Sequence, residues 1–325
     1  LNALLKNFFI LTVVICLFFL VTSCSTTKSA NLTNTTSQVS LNLKIKASVI
    51  GNLKSPLSRE SCVTQANNQV ILAGGVNEYD QSTNLIFSFN PLNLNFSTLG
   101  YLKLSTHDAA AGYFPNNVFV YGGGSFSIYN TIEQLNLLNG RVTIAGVLNQ
   151  PRADLTSIKV NNYLYLIGGY NQNAYQAEIL VSSNGTSFSQ VGLLPVPVRY
   201  GAVAYSKGLI YVFGGIGISG AQVNVIQAFD IKSGTTKVIG YLPVPLSGAY
   251  AGSFNNTVFL TGGITQNSAN QIIWELKNNK LVPQSNLPTQ SAYGCMAQME
   301  SSFYIFGGEN FYGKPLNNII KINFS

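Results

Sequence analysis

Short apolar runs alternate with polar turns along almost the whole chain, and six of the runs end in a glycine pair. They are VILAGG (Gly74, Gly75), VFVYGG (Gly122, Gly123), LYLIGG (Gly168, Gly169), IYVFGG (Gly214, Gly215), VFLTGG (Gly262, Gly263) and FYIFGG (Gly307, Gly308). From first glycine to first glycine the steps are 48, 46, 46, 48 and 45 residues. Runs of four to six residues rich in Val, Ile, Phe and Tyr are strands, not helices. A period in this range predicts a closed repeat array. Before each pair lie two runs split by a turn dipeptide: Asn67-Asn68, Asn116-Asn117, Asn161-Asn162, Lys207-Gly208, Asn255-Asn256 and Ser301-Ser302. Asn and Gly tolerate the positive φ of tight hairpins. After each pair come a loop, an amide residue and a third run: Asn84, Asn130, Gln176, Asn224, Asn270 and Asn317 open these runs. A fourth run follows, as in FSTLGYL and TKVIGYL.

Four antiparallel strands per repeat make the blade of a β-propeller, so the pattern predicts an all-β, six-bladed propeller. Here the sequence resembles the kelch-repeat family. The resemblance covers residues 43–325. It rests on the six apolar-GG signatures, on Pro151-Arg152 and Val198-Arg199 entering a first strand, and on Ile132-Glu133 in a third strand. The family's Trp in the fourth strand is replaced by Phe96, Val142 or Phe188, and Trp274 sits in a third strand. The last repeat stops after its third run, IIKINF. Residues 43–53 (LKIKASVIGNL) match a fourth run, so the N-terminal strand is expected to complete the sixth blade. Such a seam leaves no open sheet edge.

Residues 1–23 read as an export signal or N-terminal anchor: Lys6 precedes FFILTVVICLFFLV, followed by Thr22-Ser23-Cys24. Val21 to Cys24 also resembles the bacterial lipobox, in which Cys24 is lipidated. Residues 24–42 are Ser, Thr and Asn with few bulky apolar side chains, the composition of a flexible tether. The expected location is extracellular or at the cell surface (the periplasmic side where an outer membrane exists), either tethered to the membrane or secreted. Sequons start at Asn31, Asn34, Asn95, Asn184, Asn255 and Asn323, and an export signal would make them reachable.

Charged residues make up only 9% of the chain, against about 25% usually, so solubility rests on neutral polar side chains. The net charge is +7, but no Lys/Arg cluster is present, which argues against a nucleic-acid partner. With eleven carboxylates, stability is expected to depend weakly on acid. Cys62 and Cys295 each lie 12 residues before a glycine pair, in blades that touch only if the ring closes. Two readings stand: a disulfide across the seam, or two small buried apolar residues.

The charges cluster in the loops entering the first strands. These carry Arg59-Glu60, His107-Asp108, Arg152 with Asp154, and Arg199-Tyr200; blades 5 and 6 have Ser247-Gly248 and Ala292-Tyr293. Glu60, Asp108 and Asp154 each lie 14 residues before their first glycine, which puts them at one equivalent site. Arg supplies planar donors for a carboxylate, a carboxylate can act as general base, and His107 can titrate near neutrality. The alternative is structural, with the pairs fixing loops between blades. The loops after the glycine pairs are rich in aromatics and amides, including Tyr79, Phe126, Tyr129, Tyr170, Tyr175, Phe311 and Tyr312. Such loops suit recognition of a protein or glycan. One histidine and no CxxC leave no zinc site, and the two histidines of a galactose-oxidase type copper site are absent. GxSxG, P-loop and dinucleotide fingerprints are also missing, so no cofactor is expected.

The leading expectation is a non-catalytic binding module for a glycan or protein. A second is an enzyme similar to the exported kelch mutarotases of sialic acid, with Glu60, His107, Asp108, Arg152, Asp154 and Arg199 as candidates. A third is a scaffold in a surface assembly.

Overall fold

A computed structural model describes residues 43–325. The expected signal, tether, Cys24 lipidation site and first two sequons lie outside them. Among the described residues the strands form six antiparallel sheets, five of four strands and one of five. Blade 1 runs Ser61–Thr64, Val70–Ala73, Leu85–Asn90 and Asn95–Tyr101. Blades 2 to 5 repeat that order, from Ala110–Phe114 to Lys280–Asn286. Blade 6 takes Cys295–Met299, Ser302–Phe306 and Leu316–Phe324 from the end of the chain and Ile45–Ser58 from the start. Ile45–Ser58 pairs with the last strand from Ile45↔Phe324 to Leu57↔Leu316.

The apolar faces of the sheets meet pairwise, and six buried clusters result, one at each blade boundary. Ile71 and Ile86 of blade 1 pack with Val118 and Leu135 of blade 2. The series continues round to Phe306 of blade 6 against Phe89 of blade 1. Trp274 lies in the third strand of blade 5, as its place in the repeat predicts.

The glycine pairs stitch the blades together. The N–H of each second glycine donates to a carbonyl on the segment that leads into the next blade's first strand: Gly75 to Thr106, Gly123 to Arg152, Gly169 to Val198, Gly215 to Leu246, Gly263 to Ser291 and Gly308 to Leu57, at 2.8–3.0 Å. The first glycine has positive φ, and a Cβ there would sit well inside van der Waals contact with that same carbonyl. The doublet is therefore the sequence trace of blade-to-blade bonding.

Three hairpins differ from expectation; in blade 2 Phe114 pairs with Asn117 and Asn116 carries the positive φ, so the turn is Pro115-Asn116. In blade 1, Gln65 N–H donates to Gln69 O at 2.8 Å and closes a loop over Ala66, Asn67 and Asn68, one residue longer than a dipeptide turn. In blade 6, Glu300 carries the positive φ and Ser302 already belongs to a strand, so the turn is Glu300-Ser301.

Candidate functional site

Inside the stitches lies a second closed circuit. Asp108 N–H donates to Arg59 O, Asp154 to Asp108, Tyr200 to Asp154, Gly248 to Tyr200, Tyr293 to Gly248 and Arg59 to Tyr293, at 2.5–3.2 Å. All six residues have φ between 52° and 63°. One residue from each blade thus enters a ring of six backbone hydrogen bonds around the channel axis.

The ring corrects the sequence alignment. Arg59, not Glu60, is the blade 1 equivalent of Asp108 and Asp154. The extra hairpin residue shifts the count from the glycine pair by one. Glu60 falls one place further on, 4% exposed, on the other side of the ring. The same shift corrects the cysteines. Cys62 lies three residues past its ring member and Cys295 two past its own, so they are not equivalent. Successive residues of a strand point to opposite faces. Equivalent positions on adjacent blades point the same way round the ring, and the offset of one turns the two sulfurs toward each other. Cys62 and Cys295 are bonded, with Cα atoms 5.8 Å apart.

Side chains of the ring members converge on the loop face. Arg59 and Tyr200 stand three places apart in a ring of six, so the 2.9 Å bond from Arg59 Nη1 to Tyr200 Oη crosses the opening. Tyr200 Oη donates to Asp108 Oδ2 at 2.9 Å, and Arg59 Nη1 lies 3.2 Å from the same oxygen. Arg59 Nε donates to Glu309 Oε1 at 2.6 Å. The Arg59 guanidinium also lies over the Tyr293 ring, 5.3 Å from its centroid. Next to this knot, Arg199 Nη1 donates to Asp154 Oδ2 at 3.0 Å. The Arg199 guanidinium is framed by Tyr170, Tyr175 and Tyr200, 5.2–5.7 Å from their centroids. Among the described residues its other donors meet no acceptor.

Burial sets the protonation states. Burial first, then the charge of Asp108, pushes the Asp154 carboxyl up to about 7. Burial also raises Asp108, although Arg59 and the Tyr200 hydroxyl oppose the rise. Burial works against the Arg59 charge, but Asp108, Tyr200 and Glu309 outweigh it and raise its pKa. His107 accepts or donates at Nδ1 with Ser82 Oγ at 2.8 Å. Burial, then the charge of Arg59, holds the His107 imidazole below its usual range, so it is neutral at pH 7.

The predicted residues divide into three groups. Arg59, His107, Asp108, Asp154, Tyr170, Tyr175, Arg199 and Tyr200 come together. Tyr79 and Tyr312 stand exposed at loop tips, with Phe126, while Tyr129 is half-buried and makes backbone bonds. Arg152 is a correction: it is 1% exposed, with Nη1 on Gly168 O at 3.1 Å and Nη2 on Glu178 Oε2 at 3.0 Å. It braces blade 3 and reaches no pocket, because its side chain turns toward the third strand of its own blade. Glu309 was missed. Its signal is the FGGEN sequence, since the residue after the second glycine bridges to the ring loop in blades 2, 3, 4 and 6.

No family model matches the chain. It is 32% identical over 127 residues to a kelch domain-containing protein, SSO1033, of Saccharolobus solfataricus, over 37% of this chain and 17% of that one. It is 28% identical over 113 residues to an N-acetylneuraminate epimerase of Pasteurella multocida, over 26% of this chain and 30% of that one. The chain therefore spans less than a third of each of these curated relatives. In three dimensions it is similar to YjhT, with a TM-score of 0.75 and 16% identity over 86% of this chain and 100% of that one. Blade count, glycine stitches and these likenesses agree, and the chain is a kelch-repeat β-propeller.

Proposed function

We propose that the loop face binds a glycan carrying a carboxylate, with Arg199 as the anion anchor. The observation that carries this reading is the Arg199 box. A guanidinium with unspent donors sits among three tyrosine rings, its side chain 29% exposed, and one buried carboxylate holds it in place. Guanidinium donors match a carboxylate in a planar fork. Tyrosine rings offer flat faces to a sugar, and the exposed Tyr79, Phe126 and Tyr312 extend such contacts to the rim. Arg59 does not compete for the ligand, because Asp108, Glu309 and Tyr200 occupy its donors. The relative named N-acetylneuraminate epimerase adds a substrate class of the same chemistry, an acidic sugar. Export to the cell surface, with tethering through residues 1–42, belongs to the same proposal.

A second reading is acid–base catalysis on such a sugar. It is favoured by Asp154, which is poised near neutrality beside Asp108. Titration calorimetry with N-acetylneuraminate and with neutral N-acetylglucosamine tests the first reading. Wild type is expected to bind the acid more tightly, and Arg199→Ala is expected to erase the preference. Equal binding of both sugars, or a preference that survives in Arg199→Ala, would overturn it. Faster exchange between the anomers of the bound sugar, lost in Asp154→Asn with binding intact, would favour the enzyme.

A further inference from the structure

On the other side of the ring the channel forms a chamber of about 560 Å³. Its wall begins with the residue after each ring member: Glu60, Ala109, Leu155, Gly201, Ala249 and Gly294. From there it follows the six first strands to Thr64, Lys159, Tyr205 and Gln298 near the hairpins. The Arg59–Tyr200 contact crosses the ring between the chamber and the Arg199 box, and neither Arg199 nor its tyrosines line the chamber.

Glu60 stands at the ring end. Its Oε1 accepts the Cys295 N–H at 3.3 Å, while Oε2 is buried with no partner. It is the one carboxyl in the chamber wall, and the one wall cation, Lys159, lies at the far end with Nζ on Tyr113 O. The titratable groups around Glu60 are all spent. Tyr250 Oη is shared between Ser291 Oγ and Gly294 N–H, Glu309 faces Arg59, and Cys62 and Cys295 are bonded. A buried carboxyl oxygen without a hydrogen-bond partner is costly, and none of the described residues supplies one. We propose that the chamber is a second binding site, for a small organic ammonium ion whose N–H groups complete the Glu60 carboxylate. Burial holds the Glu60 carboxyl up to about 8, so it is protonated at pH 7. An entering ammonium ionises it, and the proton passes to the buffer.

The full chain is titrated calorimetrically at pH 7 with methylammonium and butylammonium, and with butanol as the neutral shape control. Two buffers of different ionisation enthalpy count the protons. The expected result is binding of the ammonium ions with release of about one proton each, no binding of butanol, and affinity at least about tenfold weaker in Glu60→Gln. Absence of ammonium binding, binding without proton release, equal binding of butanol, or undiminished affinity in Glu60→Gln would each overturn the proposal. Proton release is read on the wild type, so the test stands even if the variant folds poorly.

Discussion

Glu60→Gln should make the protein more stable at neutral and alkaline pH. Burial raises the folded-state pKa of Glu60 from 4.5 to about 8. Below pH 4.5 the group is protonated in both states and contributes nothing. Above it the unfolded chain ionises while the folded chain holds its proton, so folding loses stability as pH rises, until ionisation of the folded state near 8 ends the loss. Each pH unit in that window costs about 1.4 kcal/mol, or about 3 kcal/mol by pH 7. Relaxation around the carboxyl reduces the effective penalty, so about 1–3 kcal/mol is the expected recovery in the variant. Urea unfolding of both proteins at pH 4.5, 6, 7 and 8.5 reads it directly. The two curves should coincide at the lowest pH and separate as pH rises, with the variant above. Parallel curves, or a variant below wild type at pH 8.5, would refute the burial argument. The same sign bears on acid tolerance: Glu60, Asp108 and Asp154 all favour the protonated folded state, so mild acid should stabilise the fold.

Affinity for an acidic sugar should fall as pH rises through about 7, because ionised Asp154 neutralises Arg199; a flat affinity between pH 6 and 8 in calorimetry would deny that coupling. Tyr200→Phe removes the hydroxyl between Arg59 and Asp108 and should cost about 1.5–3 kcal/mol in urea unfolding, with an unchanged midpoint as the contrary result. Arg152→Ala breaks a buried pair and should cost about 3 kcal/mol, yet leave sugar binding by the folded fraction unchanged; lost binding at full folding would return Arg152 to the site. Reducing Cys62–Cys295, which spans 233 residues, should lower stability by about 2–5 kcal/mol, and a melting temperature unmoved by reductant would show a bond without thermodynamic effect.

The architecture was legible because the glycine pairs have a local cause: each must approach a carbonyl on the segment leading into the next blade at a φ that other residues avoid. Closure by residues 43–53 was legible from the missing fourth run of the last repeat. The ring was not. Its members share no residue type, and only their common φ and bonding reveal them. Counting back from the glycines failed in blade 1 because a single extra hairpin residue exchanges the two faces of a strand. That one residue misplaced Glu60 and hid Arg59 as the centre of the charged knot. Arg152 misled for a related reason. A base near a carboxylate in sequence suggests a pair, but its side chain leaves the entry loop toward Glu178. Glu309 has no charged neighbour in sequence and gains its partner, Arg59, 250 residues away only when the ring closes.

A crystal structure of the full chain with N-acetylneuraminate tests the central claim most directly. The sugar carboxylate should lie on the free edge of Arg199, with the ring against Tyr170 or Tyr175. Sugar seated in the chamber or on the outer strands, with the Arg199 box empty, would contradict it.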